Sequence, residues 1–300
     1  MYPTLYVQQT DFGDVPYNSW GLMITLAFLC ATVIAHPRAI AVGIPPTRMV
    51  SVYLVSIFFG LAGARLLHFT MATPEVFFAD PMVYFRVWQG GFAFYGGLIL
   101  AAVTAISYAL WVRIDPWKLS DALAPVIMLG LSIGRIGCFL AGCCHGQEAV
   151  LPPDATPLLA DTFTGGQIWV FPHTPFVLAL MRNGVGHTDV VFYPTQLWET
   201  LAAFSIFAVT SWMWHRRRFD GQVIGAMLVL YSIWRPINES MRGDEVRGVG
   251  YFGSLTTSQV VSIPVAMIGV LVLVVGFFRG FKPESPWVPE DDTAGSAPQL

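Results

Sequence analysis

The chain has 300 residues, of which 55% are hydrophobic and only 12% are charged, and its formal net charge is −3. Soluble domains carry about 25% charged residues, so this composition excludes an ordinary soluble protein and predicts a polytopic membrane protein. No basic patch suited to nucleic acid is present, and the four cysteines form no CxxC repeat that would indicate a disulfide scaffold or a zinc cluster.

Seven segments of the sequence are long and apolar enough to cross a bilayer as helices, which takes about 20 residues each. The first 20 residues lack the basic start and the cleavage site of a secretory signal peptide, so we expect the first apolar segment to stay in the protein. The seven segments are residues 20–42, 49–69, 92–112, 121–141, 194–214, 222–240 and 258–278.

The connections between these segments differ in composition. Residues 70–91 are rich in aromatic side chains and are expected at the membrane interface, whereas residues 142–193 are long enough to form a cap outside the membrane. We predict an all-α fold with seven transmembrane helices in a single domain over residues 1–281, which includes the cap. The acidic, proline-containing tail, residues 282–300, is expected to be disordered on the cytoplasmic side.

The positions of lysine and arginine predict the orientation, because cytoplasmic connections carry an excess of both. Nine of the 16 lie in one set of connections, four in the opposite set and three inside spans. The richer set, which contains the run His215 to Arg218, is therefore cytoplasmic. The N-terminus is expected outside and the C-terminus in the cytoplasm.

Five charged residues lie in the outward part of the predicted spans, where a charge near the bilayer centre costs about 2.5 kcal/mol or more. Arg65, Arg135 and Arg235 fall late in spans that run outward, and Glu199 and Glu239 fall at the outer ends of theirs. The predicted topology puts all five at one depth. Three cations against two anions leave a positive charge, which suits an anionic ligand at the level of the lipid headgroups.

Structural alternatives exist for these charges. Arg235 and Glu239 are four residues apart on one helix and can pair with each other, and Arg65 can extend to the outer interface. Arg135 lies between Gly134 and Gly137, where small residues allow a ligand to approach closely. Arg235 precedes a proline, and irregular backbone at this depth is tolerated only beside protein or a cavity.

Eight short segments, taken in order, resemble the prolipoprotein diacylglyceryl transferases of the bacterial inner membrane. The similarity runs from about residue 20 to about residue 274. Any one segment is a weak signal, and the similarity is specific because all eight segments occur in the order in which the family has them. The segments are WGLM (20–23), GAR (63–65), DPMVYFRVWQGG (80–91), YGG (95–97), GRIG through the glycine at 146 (134–146), YPTQLWE (193–199), WR with a glutamate and an arginine after it (234–242) and SQ (258–259).

The resemblance implies a reaction and a location. Members of that family transfer the diacylglyceryl group of phosphatidylglycerol to the thiol of the lipobox cysteine of a preprolipoprotein, which forms a thioether and releases glycerol 1-phosphate. The implied partners are phosphatidylglycerol, the preprolipoprotein signal peptide and the bilayer, and no cofactor or metal is implied. The implied location is the bacterial inner membrane, with the active site facing the outer leaflet.

The resemblance also implies site residues. Arg135 and Arg235 match the two essential arginines and would bind the phosphate and stabilise the leaving group, for which a guanidinium fork is better suited than an ammonium. Glu239 matches a further catalytic position. Substrate-binding positions follow from the remaining matched segments; they are Trp20, Gly21, Arg65, Gly97, Gly137, Gly146, Glu199 and Arg242.

The sequence departs from the family pattern at five positions. Cys138, Ala141 and Cys143 stand where the family has asparagine, asparagine and glutamate, and Tyr95 and Tyr193 stand where it has histidines. The histidine proposed as the base in the family is therefore absent. Tyr95 is retained as a catalytic expectation at that position, and the base is left open among His145, Glu239 and Glu245.

Two rival functions remain open from the sequence. A transporter or flippase for an anionic lipid or metabolite could use the same positive cavity, although no internal inverted repeat supports it. The second rival is a thiol-redox membrane protein built on Cys143 and Cys144. These cysteines could form a redox or metal element with His145. Alternatively, they are small packing residues at a helix end.

Overall fold

The computed structural model describes residues 4–10, 13–86, 90–149, 156–160, 167–170, 180–182, 191–242 and 257–279. Eight α-helices lie in these ranges, together with a π-helical turn at His68–Ala72 and a 3-10 helix at Pro81–Phe85. The helices are α1 Ser19–Ala41, α2 Pro46–Leu67, α3 Pro74–Ala79, α4 Phe94–Trp111, α5 Pro116–Ala141, α6 Thr195–Trp214, α7 Gln222–Ser240 and α8 Thr257–Arg279.

Seven of the helices correspond one to one with the seven predicted spans. The largest difference is at α5, which begins at Pro116 rather than at residue 121. This earlier start has a local cause: proline suits the first helical position, and Asp115 Oδ1 accepts the Trp117 N–H at 2.8 Å as a helix cap. Residues 70–91, predicted at the interface, contain α3 and the 3-10 helix.

Five helical segments are long and apolar enough to cross a membrane, which supports a multi-pass helical membrane protein. They are Ser19–Ala41, Pro46–Met71, Phe94–Trp111, Pro116–Ala141 and Ser258–Arg279. Helices α6 and α7 are long enough but are not among them, so the seven-span topology stays a prediction. The tail from residue 280 onward lies outside the described residues, so the prediction that residues 282–300 are disordered is not tested.

Two small antiparallel sheets accompany the helices, and the all-helical prediction missed both. Strands β1 Thr4–Thr10 and β2 Gly13–Asn18 form a hairpin before α1. Five short strands lie in the predicted cap between α5 and α6, in the spatial order β3-β7-β6-β5-β4. They are β3 Glu148–Ala149, β4 Thr156–Ala160, β5 Gln167–Val170, β6 Leu180–Arg182 and β7 Val191–Phe192.

The described residues form two compact units. One lies within Met1–Thr32 and Leu123–Phe281, and the other lies within Val33–Ala122. The prediction of one domain over residues 1–281 is not tested by this division. The first unit contains α6, α7 and α8 with most of α5, and it holds the network of buried charges around Glu199 described below.

The second unit is built on a close crossing of α2 and α4. Small residues line the contact: a Cβ atom at Gly63 would lie 2.5 Å from the Gly96 carbonyl oxygen, and a Cβ at Gly97 would lie 3.1 Å from the Gly60 carbonyl oxygen. Small residues allow the backbones of two transmembrane helices to approach closely. Close packing matters because packing, and not the hydrophobic effect, holds such helices together. The contact therefore depends on glycine at these positions.

In the first unit α5 ends in a turn that reverses the chain. The Cys143 N–H donates to the Cys138 carbonyl at 3.1 Å, and the Gly142 N–H donates to the Phe139 carbonyl at 3.2 Å. Gly142 has φ +72°, which glycine adopts without a Cβ penalty. These two bonds and the left-handed glycine make a Schellman motif, which returns Cys143 to the side of Cys138.

The α2–α4 contact yields a stability prediction. Replacing Gly96 with alanine puts a methyl group against the Gly63 backbone, which cannot move as a flexible side chain could. We expect Gly96→Ala to destabilise the protein by roughly 1–3 kcal/mol, as overpacking does, and to lower the melting temperature in detergent. Gly130→Ala is the matched control, because nothing lies within 4 Å of a Cβ there. Equal melting temperatures for the two variants would contradict the packing argument.

Candidate active site

A fully buried carboxylate, Glu199 on α6, is the centre of a polar network in the first unit. The Arg135 Nε lies 2.8 Å from Glu199 Oε2, and the Arg235 Nη1 donates to Glu199 Oε1 at 3.2 Å. The Tyr231 hydroxyl donates to Oε1 at 3.1 Å, and the Asn238 Nδ2 donates to Oε2 at 3.0 Å. Both oxygens of one carboxylate therefore hold two guanidinium groups that come from different helices.

A second carboxylate, Glu239, is bound to the other side of Arg235. The Arg235 Nη2 lies 2.7 Å from Glu239 Oε2 and 3.2 Å from the Ser258 hydroxyl of α8. The alternative that Arg235 pairs with Glu239 on one helix is thus confirmed, but this pair is only half of the contact, since the same guanidinium also binds Glu199. Arg235 connects α6, α7 and α8.

The spacing along α7 explains why this helix supplies four members of the network. Tyr231, Arg235 and Glu239 are separated by four residues each, and Asn238 is three residues beyond Arg235. Residues three and four apart lie on the same face of a helix. That face of α7 is polar and buried, and it is turned toward Glu199.

Arg135 differs from Arg235 in its exposure and in the hydrogen-bond donors that no described residue accepts. Its side chain is 14% exposed, against 8% for Arg235 and 0% for Glu199. Its recorded contact uses Nε, and none of the residues described by the structure accepts a hydrogen bond from its two Nη groups. A guanidinium fixed through Nε presents its remaining donors as a planar fork, which is the geometry that binds carboxylate or phosphate oxygens.

A short backbone segment at Gly146 joins the two ends of the α5–α6 connection to the start of the α7–α8 connection. The Gly146 N–H donates to the Tyr193 carbonyl at 2.7 Å, the Gln147 N–H donates to the Met241 carbonyl at 3.1 Å, and Gly146 forms a β-bridge with Arg242. A Cβ atom at Gly146 would lie 2.7 Å from the Met241 carbonyl oxygen. Gly146 and the buried Arg242, both predicted as substrate-binding residues, are therefore neighbours.

Three cysteine thiols lie together at the end of α5. The Sγ atoms of Cys138, Cys143 and Cys144 are within 4.8 Å of one another, and all are free thiols. Hydrogen bonding by Cys138 and Cys143, together with the positive charges of Arg242 and Arg135, lowers the pKa of Cys144. Hydrogen bonding to Cys138 and to Cys144, together with burial, raises the pKa of Cys143. Each of these thiols therefore shifts the pKa of its neighbours.

The predicted residues Trp20 and Gly21 lie at the start of α1, and Gly137 lies where α5 contacts that helix in the first unit. A Cβ atom at Gly137 would lie 3.0 Å from Met23 Cβ and 3.4 Å from the Cα of Trp20. Trp20 itself is 39% exposed, and the Gly21 carbonyl accepts the Thr25 hydroxyl within the same helix at 2.9 Å. Their substrate-binding roles stay predictions.

The candidate bases have different surroundings. The His145 ring lies 4.1 Å from the ring of Phe192, and its Nδ1 lies 3.1 Å from the Gly146 carbonyl oxygen. Glu239 uses one oxygen for Arg235. Glu245 lies outside the described residues. The choice among them stays open.

Arg65, Tyr95 and Gly97 belong to the second unit. The Arg65 guanidinium donates to the carbonyl oxygens of Tyr84 at 2.8 Å and of Arg86 at 3.2 Å, and also to those of Val83 and Gly90. The residue is only 2% exposed, so the alternative that Arg65 extends to the interface is wrong. These hydrogen bonds fix the segment that follows α3. The substrate-binding role of Arg65 stays a prediction.

The remaining two residues of that unit are placed by α4. Tyr95 is half-buried, and its ring meets the ring of Phe94 edge-on at 5.8 Å. Gly97 lies in the α2–α4 contact. Neither placement tests the predicted catalytic role of Tyr95 or the predicted substrate contact of Gly97.

Sequence reasoning missed Tyr231 and Asn238 as members of the network and did not bring Cys138 together with Cys143 and Cys144. The two α7 residues could have been found, because each is three or four residues from Arg235 on the same helix. The thiol group could not, because its assembly depends on the reversal of the chain at Gly142. Ser258 had been noted only as part of a matched segment.

Comparison with known proteins adds to this geometry. A family model described as prolipoprotein diacylglyceryl transferase matches residues 9–275. Among curated relatives, phosphatidylglycerol–prolipoprotein diacylglyceryl transferase of Vibrio cholerae is 29% identical over 274 residues, which is 90% of this chain and 91% of the relative. Phosphatidylglycerol–prolipoprotein diacylglyceryl transferase 2 of Clostridium perfringens is 27% identical over 264 residues, covering 88% and 93%. The Methylococcus capsulatus relative is 27% identical and covers 93% and 98%.

The shared carboxylate yields a second prediction. Glu199→Gln keeps the shape of the side chain but removes the charge that two buried arginines share. Because breaking a buried ion pair leaves an uncompensated charge, we expect a loss of roughly 3 kcal/mol in the free energy of unfolding in detergent micelles. Glu239→Gln should cost less, since Arg235 keeps Glu199, and Glu75→Gln on the exposed α3 should cost nothing measurable. A Glu199→Gln variant as stable as Glu75→Gln would contradict the central position of this carboxylate.

Proposed function

The chain belongs to the prolipoprotein diacylglyceryl transferase family, and on that premise we propose that it transfers the diacylglyceryl group of phosphatidylglycerol to the lipobox cysteine thiol of a prolipoprotein. The observation that carries the proposal is the meeting of Arg135 and Arg235 at one buried carboxylate. This arrangement fixes two cations side by side in a poorly hydrated place. The family match favours this reaction over a transporter or flippase.

In the proposed reaction the thiolate sulfur forms a bond to the glyceryl carbon while the bond from that carbon to the phosphate oxygen breaks. The thiol proton is lost before or during attack, since the thiolate is the nucleophile. The electron pair of the broken bond leaves with glycerol 1-phosphate. Negative charge therefore grows on a phosphate oxygen, and a prepositioned guanidinium stabilises it without reorganisation.

We assign different roles to the four charged residues. Arg135 presents its Nη fork to the phosphate, because its Nε is already fixed by Glu199. Arg235 supplies the second cation and is held on both sides by Glu199 and Glu239. Glu199 is a positioning residue, since its two oxygens accept from four groups and are poorly placed to take a further proton. Glu239 and His145 are the proposed proton acceptors.

The remaining predicted residues of the first unit line the substrate site in this proposal. Trp20 and Gly21, at the start of α1, and Gly137, which packs against that helix, are proposed to lie beside the bound lipid headgroup. Gly146 and the neighbouring Arg242 line the entrance used by the prolipoprotein. Arg65 and Gly97 stay predicted substrate-binding residues and Tyr95 stays a predicted catalytic residue; within the second unit, Arg65 fixes the segment after α3.

We also propose the membrane placement. The seven long helices cross the inner membrane of a bacterium with the N-terminus outside and the C-terminus in the cytoplasm. Residues 1–281 form one catalytic domain with the cap at 142–193, and residues 282–300 form a cytoplasmic tail. The charged network then lies toward the outer leaflet, where a signal peptide and phosphatidylglycerol can meet. The supporting observation is the excess of lysine and arginine in one set of connections.

The phosphate-binding role of Arg135 can be tested directly. Purified protein is incubated with phosphatidylglycerol and a lipobox peptide, and mass spectrometry follows the added diacylglyceryl mass while an enzymatic assay follows released glycerol phosphate. We expect Arg135→Ala to lower the rate by roughly 10²–10³-fold, as the loss of a prepositioned donor does. Arg135→Lys should also be poor because the fork is lost.

The control for that experiment is Arg216→Ala, which removes an exposed cation that packs over Trp212 outside the network. It should transfer lipid at the wild-type rate. Turnover by Arg135→Ala at the same rate as Arg216→Ala would refute the assignment, provided both variants elute as folded protein.

The membrane orientation is tested with reporter fusions. A green fluorescent protein joined after residue 300 should fluoresce, because it folds only in the cytoplasm, and alkaline phosphatase joined at the same place should be inactive. Alkaline phosphatase inserted in the cap should be active. The opposite pattern at either place would overturn the proposed topology.

A further inference from the structure

The cysteine group at the end of α5 is built by the backbone. The Schellman motif brings Cys143 back to Cys138, and Cys144 follows with φ +62°. A left-handed conformation is uncommon for a residue other than glycine and persists only where the surroundings impose it. Here it turns the third thiol toward the other two, so that all three Sγ atoms are within 4.8 Å of one another.

Buried side chains of α6 hold this turn in place. The Gln196 Nε2 donates to the Cys143 carbonyl at 2.8 Å, and the Thr195 hydroxyl donates to the Cys144 carbonyl at 3.0 Å. Both of these residues are 1% exposed. The thiols are therefore fixed before any ligand arrives, and the energy of ligand binding is not spent on ordering them.

Three thiols in this arrangement match the demands of a thiophilic cation. Zinc binds cysteine sulfur at about 2.3 Å, which in tetrahedral geometry separates two sulfur atoms by about 3.8 Å. The observed upper limit of 4.8 Å needs only small side-chain rotations to close. Thiolate ligands select zinc and copper(I) over magnesium or calcium.

Among the residues that the structure describes, three ligands rather than four form the group, and one of them is exposed. Cys138 is buried, Cys144 is half-buried and Cys143 is exposed. Structural zinc sites are closed by four protein ligands, whereas three protein ligands leave one position for water or substrate. The open position is therefore a place where another sulfur ligand can bind.

We propose that Cys138, Cys143 and Cys144 form a zinc site whose fourth position binds the substrate thiol as a thiolate. The identity of that fourth ligand rests on the proposed function, in which the nucleophile is a lipobox cysteine. A thiol that coordinates a zinc ion loses its proton, which passes to water or to the neighbouring His145. The bound sulfur then forms its bond to the glyceryl carbon, the carbon–oxygen electron pair leaves with glycerol phosphate, and the thioether dissociates from the metal. The metal changes neither its charge nor its three cysteine ligands.

The position of the site agrees with this role. Cys138 is three residues after Arg135, so both side chains lie on the same face of α5 about one turn apart. Gln196, which holds the cysteine turn, is three residues before Glu199 on α6. The groups that would activate the thiol and those that would bind the phosphate are thus fixed by the same two helices.

Metal content provides the first test. Full-length protein is purified without a metal-affinity step, supplied with Zn²⁺, desalted and analysed by mass spectrometry of the elements and by thiol titration. We expect about one zinc ion per chain, lost in each of Cys138→Ser, Cys143→Ser and Cys144→Ser. Cys30→Ser is the matched control, because Cys30 is a half-buried thiol of α1 outside the group, and it should keep the zinc. Wild-type protein without zinc, or with a disulfide among the three thiols, would overturn the proposal.

A second test uses the unaltered sequence and does not need turnover. Wild-type protein is stripped with a chelator and loaded with Co²⁺, whose absorption reports thiolate ligands and tetrahedral geometry. We expect the sulfur-to-cobalt band to grow when a lipobox peptide is added and to stay constant with the Cys→Ser peptide. Identical spectra with both peptides would overturn the role of the fourth position.

The two proposals fail in different ways. A cobalt band that responds to the peptide, with no lipid transfer from phosphatidylglycerol, would refute the proposed function and leave the metal site standing. Lipid transfer at the wild-type rate by protein in which all three cysteines are serine would refute the metal site and leave the function standing.

Discussion

The structure of the first unit depends on one buried carboxylate that two arginines share. Removing a carboxylate from water costs several kcal/mol, and the cost is met only when its partners are well placed and its lone pairs are satisfied. Glu199 meets both conditions, with donors from Arg135, Arg235, Tyr231 and Asn238. Because these donors come from α5 and α7 and the acceptor from α6, the charge network also fixes how three helices pack.

This dependence explains the character of α6 and α7. They are the two long helices that are not among the five segments apolar enough to cross a membrane by composition alone. Their polar residues are turned toward one another, as the full burial of Glu199 and Asn238 shows, so a lipid environment never meets these groups. In membrane helices such residues mark functional sites by default, since they are retained against a cost in insertion.

The sequence was most informative where the physical rule is local. Apolar length predicted each long helix to within a few residues, and the spacing of four predicted the pair of Arg235 with Glu239. The partner of Arg135 could not be predicted, because Glu199 is 64 residues away along the chain and the pair forms only when α5 packs on α6. Arg65 shows the same limit: its ligands are backbone carbonyls of residues 83–90, and no sequence pattern marks a carbonyl as a partner. The cap strands lie in a connection whose Pro, Gly and Thr content favours turns over any one period, and they were missed for that reason.

The distance between the two parts of the site follows from helix geometry. In the proposed displacement, sulfur attacks the glyceryl carbon from about 3–3.5 Å, with the departing oxygen on the opposite side of that carbon. The groups that hold the nucleophile and the groups that hold the leaving group must therefore lie close together, on either side of this reacting unit. One turn of an α-helix rises 5.4 Å, and Arg135 and Cys138 are about one turn apart on α5. A single rigid helix can therefore set the spacing of both ends of the reaction, which two mobile loops could not do with the same accuracy.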